Sequence, residues 1–274
     1  MSITYQAVLE VSDHSVQFLS ALLRQERVRR GTRKDTRVLD TDQQAVLVLR
    51  WFLDDTRMAA LARDNAVSVS TAYDYRDEGI AVLAARKPGL HGALLAAKAA
   101  GHSHVIVDGT LIATDRIDTP GPTKGVDLWW SGKHKHHGGN IQVVSAPDGW
   151  PLWTSEVRPG RHHDMSAARA DPDLLPLITA WVNDGQPSLA DLGYEGAPDI
   201  FKVPAKKPKG GALTRNQQAY NAVHSALRCL GERANSLLKT TYKALRRYRG
   251  CPWRIGRIVA AALVLLHTEH HRTT

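Results

Sequence analysis

Three carboxylates in the sequence lie where separate elements of a fold could bring acids together. Asp108 ends the apolar run VIVD and precedes a glycine, and Asp191 ends the run SLAD and precedes LGY. Glu232 lies 41 residues after Asp191, inside the helical pattern LRCLGERANSLLK. Two aspartates carried by strands and one glutamate carried by a helix meet at one point if the two strands are neighbours.

Such a meeting of acids would suit phosphoryl transfer assisted by metal ions. Converging carboxylates repel and desolvate one another, which raises their pKa values unless divalent cations bind. Two ions about 3.5–4 Å apart would activate a water or 3′-hydroxyl and stabilise the leaving oxygen. Oxygen ligands favour Mg²⁺ or Mn²⁺ over Zn²⁺. Asp108, Asp191 and Glu232 are therefore the predicted catalytic residues and the predicted ligands of two such ions.

Each of these acids also has a purely structural interpretation. An aspartate before a glycine is a common turn, and Glu232 could form an ion pair with Arg228 or Arg233. Residues 201–274, however, hold 15 basic and only 2 acidic residues. An acid in so basic a segment favours a functional role for Glu232.

A sheet with flanking helices is predicted to position the acids. Alternating and β-branched patterns predict strands over residues 103–112, 139–146, 151–159, 187–191 and, as a short fifth strand, 201–204. The sequence PDGW between the second and third strands predicts a hairpin turn. Helical patterns cover residues 171–183, 213–245 and 255–266. The last of these is interrupted by Gly256 and Arg257 and is too short to span a bilayer.

The N-terminal third reads as a helical unit. Residues 1–40 are predicted to be largely helical, and residues 41–86 to form three helices. The stretch MAALARDNAVSVSTAYDYR is typical of a helix-turn-helix, with a small Ala62, an apolar Val67 and a capping Ser68; an ordinary helical hairpin is the alternative. The predicted DNA contacts in its second helix are Ser68, Ser70, Thr71, Tyr73 and Arg76. Proline and glycine in residues 87–101 divide the chain into predicted domains over 1–90 and 101–274.

Charge is distributed unevenly along the 274 residues, whose formal net charge is +9. Residues 101–200 hold 7 basic and 13 acidic side chains, while the basic segment after them predicts a polyanionic partner, most simply nucleic acid. A solvated basic face is the alternative. Two cysteines suit a reducing cytoplasm without a disulfide framework. The first residues do not resemble a signal peptide, so we expect a cytoplasmic protein without a membrane partner.

The stretch SGKHKHHGGNIQ, residues 131–142, suggests either a metal site or a nucleic-acid-binding loop. Its histidine spacing, with another pair at 162–163, does not match a closed zinc site supported by cysteine. Because the stretch lies between two predicted strands, we interpret it as the entry to the second strand. Lys133 and Lys135 would then alternate along that strand and point together towards a phosphate backbone. Residues His134, His136 and His137 receive no firm role.

Seven motifs follow one another in a recognisable order. They are Asp108–Thr110; Ser131–Lys135 with Asn140; Asp148–Gly149; Arg158–Gly160 with His163–Asp164; Asp191, Gly193–Tyr194 and Gly196; Leu213–Thr214 with Gln217; and Arg228, Glu232–Arg233 and Leu237–Lys239. Over roughly residues 40–250 this order resembles the DDE transposases of the insertion-sequence-five type, relatives of the harbinger group. Arg161 and His162 stand where family members often have a serine and another residue.

The resemblance implies a fold, a reaction and partners. The fold would be α/β, a ribonuclease-H-like mixed sheet flanked by helices and preceded by the all-α helix-turn-helix domain. Asp108, Asp191 and Glu232 would be the catalytic triad for hydrolysis at transposon ends and strand transfer into target DNA. We expect a homodimer on double-stranded DNA, associated with the nucleoid. Further predicted residues are Asp164 and His163 beside the triad and Arg228, Arg233 and Lys239 on DNA.

Two other functions compete with this one. A relative that binds DNA and regulates without cutting it would keep the basic surface but lose the acids, and all three acids are present here. A protein that binds a metal through residues 133–137 and 162–163 is disfavoured by the histidine spacing. A DNA transposase of an insertion sequence is thus the leading hypothesis.

Overall fold

Helices and strands alternate along most of the chain. The computed structural model describes residues 8–34 and 36–274. The helices are α1 (Asp13–Arg29), α2 (Thr41–Asp54), α3 (Met58–Asp64), α4 (Val69–Ala84), α5 (Leu90–Ala99), α6 (Asp164–Ala170), α7 (Leu174–Asn183), α8 (Arg215–Thr241) and α9 (Ile255–Glu269). The strands are β1 (Val105–Thr114), β2 (Trp130–Ser131), β3 (His136–Ser145), β4 (Pro151–Thr154), β5 (Arg158–Pro159), β6 (Ser188–Leu189) and β7 (Arg247–Tyr248).

Most predicted elements are confirmed, with shifted ends. The three helices expected over residues 41–86 are α2, α3 and α4, and the helix expected within residues 1–40 is α1. The parts of that last prediction that fall on residues 1–7 and 35 lie outside the described residues. The third predicted strand is split into β4 and β5, which both pair with β3. The fifth is wrong, because residues 201–204 contribute only a single bridge between Lys202 and Leu189.

Local sequence explains why α3 and α4 are separate helices. The Ser68 side chain accepts a hydrogen bond from the Thr71 backbone N–H at 3.1 Å and so caps α4. Asn65 donates its side-chain N–H to Leu61 O at 2.8 Å at the end of α3. Between them Ala66 has a φ of 51°, a left-handed conformation that costs a residue with a Cβ about 1 kcal/mol. Two helices joined by a short turn are thus present, and their interpretation as a helix-turn-helix stays a prediction.

The sheet is mixed, as predicted. Its centre is the long antiparallel pair β1–β3, in which Asp108 lies opposite Val143. Strands β6 and β7 run parallel to β1, while β2, β4 and β5 run antiparallel to β3. The turn before β4 follows the PDGW pattern, with Gly149 at a φ of 81°. Strands of only two residues, such as β2 and β7, carried no pattern that sequence analysis could detect.

The register of β1 and β6 brings two of the predicted acids to one edge of the sheet. Ile106 pairs with Leu189 in this parallel ladder. Asp108 and Asp191 each lie two residues beyond that pair, so both lie just past the same end of this short ladder, although Asp108 is inside β1 and not at its end as the sequence suggested. The condition on which their convergence depended, that their strands are neighbours, is therefore met.

Close contact between α8 and β1 brings a helix to the same place. A Cβ atom at Gly231 would lie 2.5 Å from Ile106 Cγ2, well inside ordinary van der Waals contact. Glycine at this position thus permits α8 to lie directly on β1. The next turn of α8 then reaches Asp108 within β1.

The C-terminal helix α9 joins the two parts of the chain. Its residues are buried along most of its length, and it packs against α1, α4 and β4. At its end Glu269 accepts hydrogen bonds from the hydroxyls of Ser12 at 2.8 Å and Ser15 at 2.5 Å, a contact we call the serine clasp. The N-terminal helices therefore share a continuous core with the C-terminal end, and the predicted division near residues 90–101 stays a prediction.

Across residues 8–34 and 36–274, no helix combines the length and the apolar character that a membrane crossing requires.

Candidate active site

Asp108 is the central acid of the site. It lies on β1 and is half-buried. Burial, together with the negative charges of Asp191 and Asp164, raises the pKa of its carboxyl to about 6, against the opposing charges of Arg228 and Lys133. A carboxyl in this setting binds a proton or a metal cation more readily than a solvated one. The rise in carboxyl pKa that is predicted for converging acids is therefore found at Asp108.

Asp191 begins a short 3₁₀ helix, Leu192–Tyr194, directly after β6. Its Oδ1 atom accepts a hydrogen bond from the Gly193 backbone N–H at 2.8 Å. Its Oδ2 atom is left facing the site, 3.9 Å from Lys133 Nζ. The side chain is 28% exposed, so the second oxygen remains accessible to a ligand. The turn fixes one oxygen and presents the other.

Asp164 is the third acid of the cluster. It lies at the start of α6, with only 8% of its side chain exposed. Asn140 Nδ2 donates to its Oδ1 at 2.9 Å, and Lys133 Nζ lies 2.9 Å from its Oδ2. Two partners thus hold both oxygens of a nearly buried carboxylate beside Asp108.

Glycines explain how Asp164 can approach so closely. A Cβ atom at Gly109 would lie 2.7 Å from Asp164 Cγ and closer still to Oδ1. A Cβ at Gly193 would lie 3.2 Å from Asp164 Oδ2. The glycines that follow Asp108 and Asp191 in sequence therefore do more than permit turns. They clear the space that Asp164 occupies.

Buried polar side chains beneath the acids link them to one another. Gln142 Nε2 donates to Asn140 Oδ1 at 2.9 Å, and the Tyr194 hydroxyl donates to Gln142 Oε1. Gln142 is fully buried. Because Asn140 in turn holds Asp164, this chain ties the position of Asp164 to the turn that begins at Asp191. Sequence analysis placed Asn140 and Tyr194 in motifs without assigning them a contact. It gave Gln142 no role, although a glutamine within an apolar strand is a usable signal.

Helix α8 presents a mixture of groups to Asp108. Asn235 Nδ2 donates to Asp108 Oδ2 at 2.9 Å. Lys239 donates to Leu111 O at 3.0 Å, and burial lowers the pKa of its amine while Asp108 opposes this. Asn235, one turn after Glu232, was not identified from the sequence. Its spacing of three residues from Glu232 is the signal that could have found it.

Glu232 lies at the rim of this arrangement. Arg228 Nη2 donates to its Oε1 at 3.0 Å, and its side chain is 63% exposed. This is the ion pair that was left open as an alternative for Glu232. Within the described residues, no three His, Cys, Asp or Glu side chains form a ready-made metal-binding group. The structure brings together Asp108, Asp164 and Asp191, and the membership of Glu232 stays a prediction.

The donor set nevertheless suits a divalent cation. Asp164 and Asp191 share Lys133, and the charges of both act on Asp108, so the nearby donors are carboxylate oxygens. Asn235 Oδ1 is buried and finds no hydrogen-bond partner among the described residues, although a buried acceptor without a partner costs about 1–3 kcal/mol. A cation or its bound water beside Asp108 would satisfy that oxygen. Oxygen donors of this kind select Mg²⁺ or Mn²⁺.

The predicted strand geometry of Lys133 and Lys135 is wrong. Residues 132–135 form the turn of the β2–β3 hairpin, and Lys135 has a φ of 59°. The two side chains therefore do not alternate along a strand. Lys133 reaches the acids, while Lys135 is exposed. Nothing in the sequence of this stretch indicates a left-handed residue at position 135, which keeps the two lysines out of the strand.

The other predicted contacts fall into two groups. Ser68, Ser70, Tyr73, Arg233 and His163 are exposed, and Thr71 is partly buried. Arg76 lies inside instead, only 5% exposed, with its guanidinium 4.9 Å from the Trp51 ring and 4.7 Å from the Tyr73 ring. It also forms an ion pair with Asp77 at 2.6 Å. The structure thus makes Arg76 a largely buried residue, and not the exposed side chain that a DNA contact would require.

Comparison with known proteins identifies the family of this chain. A family model described as DDE superfamily endonuclease matches residues 107–267, a span that contains Asp108, Asp164, Asp191 and Glu232. A probable transposase for insertion sequence element IS702 from Microchaete diplosiphon is 29% identical over 155 residues, or 53% of this chain and 52% of the relative. The chain thus spans about half the length of that curated relative.

Solved structures give only a distant likeness. The crystal structure of a pre-cleavage Mos1 transpososome is 10% identical with a TM-score of 0.24, covering 91% of this chain and 85% of that chain. The Mos1 strand transfer complex is 11% identical with a TM-score of 0.22, covering 89% and 84%. Such scores are too low to define a shared fold. The family model, in contrast, spans more than half of the chain and includes the whole acid cluster, and the chain therefore belongs to the DDE superfamily of endonucleases.

Proposed function

We propose that this protein is a DNA transposase of an insertion sequence, of the insertion-sequence-five type and related to the harbinger group. It would cut DNA at the ends of its element and join those ends to target DNA. The observation that carries the proposal is the grouping of Asp108, Asp164 and Asp191 around Lys133, just past the last pair of the β1–β6 ladder. Endonucleases of this superfamily generally use divalent metal ions, and the proposal adopts Mg²⁺ or Mn²⁺.

In the proposed reaction Asp108 and Asp191 hold the metal, and Asp164 adds negative charge beside them. Two bound ions would activate a water or 3′-hydroxyl and stabilise the leaving oxygen. Glu232 completes the ligand set when its exposed side chain leaves Arg228 and turns towards Asp108. Arg228, freed in that way, becomes available to a phosphate of the DNA strand. Asn235 keeps Asp108 oriented through its hydrogen bond.

DNA binding is assigned to two further parts of the chain. Helices α3 and α4 would act as a helix-turn-helix with Ser68, Ser70, Thr71 and Tyr73 towards the duplex, and the sheet behind would be ribonuclease-H-like. Arg233, Lys133, Lys135 and Lys239 would contact or steer the DNA backbone near the acids. Because many C-terminal Lys and Arg would displace counterions, binding should weaken steeply with salt. Two ends are handled together, so the proposed active form is a homodimer on DNA.

The test is cleavage of a duplex that carries the element's end by the purified full chain. We expect nicking with Mg²⁺ or Mn²⁺ and none with Ca²⁺. The D191A variant should bind the same duplex with unchanged affinity but cut at least 100-fold more slowly, on the order expected when a metal ligand is lost. The matched control is D199A, which removes an exposed aspartate outside the cluster and should cut normally.

Two results would reject the proposal. Cutting by D191A at the wild-type rate would remove Asp191 from the active site. Tight binding of the duplex without cutting in any of the three metals would favour the regulatory relative that no longer cleaves DNA.

A further inference from the structure

Lys133 places a positive charge inside the acid cluster. Its Nζ atom lies 2.9 Å from Asp164 Oδ2 and 3.9 Å from Asp191 Oδ2, and the charge of Asp108 also acts on it. The remaining oxygens of these aspartates have other partners, since Asp164 Oδ1 binds Asn140 and Asp191 Oδ1 binds Gly193. The ammonium group is thus attracted by the oxygens that face the site.

The backbone beneath Lys133 is fixed, while its side chain is not. The turn at residues 132–135 is closed by a hydrogen bond from Lys135 N to Ser131 O at 2.8 Å, and Ser131 Oγ accepts from His134 N at 3.3 Å. The Lys133 side chain, in contrast, is 53% exposed. The ammonium end is therefore partly in solvent and can leave Asp164, provided that another cation replaces it on that nearly buried carboxylate.

A divalent cation and this ammonium group compete for the same oxygens. Both are attracted to Asp164 Oδ2 and Asp191 Oδ2, and two positive charges in one small space repel each other. A lysine released from the acids remains on the same turn, close to where the proposed DNA strand would be bound. A phosphate is the natural partner for it there.

We propose that Lys133 is an exchangeable counter-ion: it neutralises the acids before the metal binds, competes with the metal for Asp164 and Asp191, and moves to a DNA phosphate when the metal enters. The inference rests on the proposed function, because it presumes metal binding by these acids. It makes metal loading and DNA binding mutually supportive, since each one favours the released position of the same side chain.

The test is a calorimetric titration of the full chain with Mn²⁺ in the absence of DNA. K133M removes the competing charge and should bind Mn²⁺ about tenfold more tightly than wild type, a typical size for coupling between two ligands. The matched control is K135M, which removes a lysine of the same turn that forms no ion pair with the described residues. It should bind Mn²⁺ as wild type does, and K133R, which keeps the charge, should stay within about threefold of wild type.

A second measurement uses a duplex that already ends at the proposed cut site and so cannot be cleaved there. The duplex should raise the Mn²⁺ affinity of wild type by a larger factor than that of K133M. If K133M does not fold, K133Q removes the same charge and enters the same titration.

The outcomes separate this inference from the proposed function. Equal or weaker Mn²⁺ binding by K133M, with clear binding by wild type, would overturn the counter-ion and leave the metal site intact. No Mn²⁺ binding by either protein, with or without the duplex, would overturn both.

Discussion

Replacing Gly109 by alanine should disable the site through a single methyl group. The added Cβ would lie 2.7 Å from Asp164 Cγ, where ordinary contacts are 3.4–4 Å, and would overlap Oδ1. Gly109 has no positive φ, so the backbone itself accepts alanine and the clash is the only obstacle. Asp164 must then move by about 1 Å, which strains its bonds to Asn140 and Lys133.

The size of the effect follows from this displacement. Overpacking of a closely packed site costs about 1–3 kcal/mol, which lowers the melting temperature of a chain of this size by about 2–12 °C. A shift of about 1 Å in an active site can slow the reaction by about 100-fold. The assays are thermal unfolding, monitored by circular dichroism, and single-turnover cleavage of the duplex that carries the element's end.

The matched control is G92A, another glycine-to-alanine change. Gly92 lies on the exposed face of α5, and nothing lies within 4 Å of an added Cβ. This variant should cut DNA at the wild-type rate. Its free energy of unfolding should rise by about 0.5–1 kcal/mol, because alanine is more stable than glycine inside a helix. If G109A has the melting temperature and the cleavage rate of wild type, Asp164 does not occupy the position described here and the reasoning is refuted.

Three further predictions concern α8 and α9. E232Q should abolish cleavage yet shift stability by less than about 1 kcal/mol, because an exposed ion pair contributes little; cleavage at the wild-type rate would exclude Glu232 from the metal site. G231A should destabilise the protein by about 1–3 kcal/mol, because its Cβ would lie 2.5 Å from Ile106 Cγ2, and unchanged urea unfolding would show that α8 does not lie so close to β1. In the serine clasp, burial opposes ionisation of Glu269, but the hydrogen bonds from the Ser15 and Ser12 hydroxyls prevail and hold its pKa below the ordinary value of 4.5. The clasp should therefore stabilise the fold fully above about pH 5 and lose this contribution as the pH falls through the lowered pKa of Glu269. The free energy of unfolding of E269Q should be lower than that of wild type by about 1 kcal/mol at pH 7 and nearly equal to it at acid pH. A difference that stays constant across pH would contradict the assignment.

The sequence carried enough information to place two of the acids. An apolar run that ends in an aspartate identified both Asp108 and Asp191. The parallel pairing of Ile106 with Leu189 then brings the two aspartates close together, because each lies two residues after its paired residue. Parallel pairing was not readable from the sequence itself, since β6 is only two residues long. The motifs supplied the order of the acids, and the fold supplied the distances.

Other features depended on tertiary contacts that leave little trace in a single sequence. Asp164 was recognised only as an accessory acid, because its contact with the Gly109 position depends on the packing of α6 against β3. Lys133 and Lys135 were assigned to a strand because nothing in KHKHH indicates a left-handed residue at position 135. Arg76 was expected at the surface of α4, but two aromatic rings and Asp77 enclose it.

The most direct test of the central claim is to locate Mn²⁺ by anomalous scattering in crystals of the full chain bound to uncleavable duplex. The account predicts a peak about 2.1 Å from carboxylate oxygens of Asp108 and Asp191, with Lys133 displaced from them. A peak at His134, His136 and His137 instead, with none between the two aspartates, would contradict it.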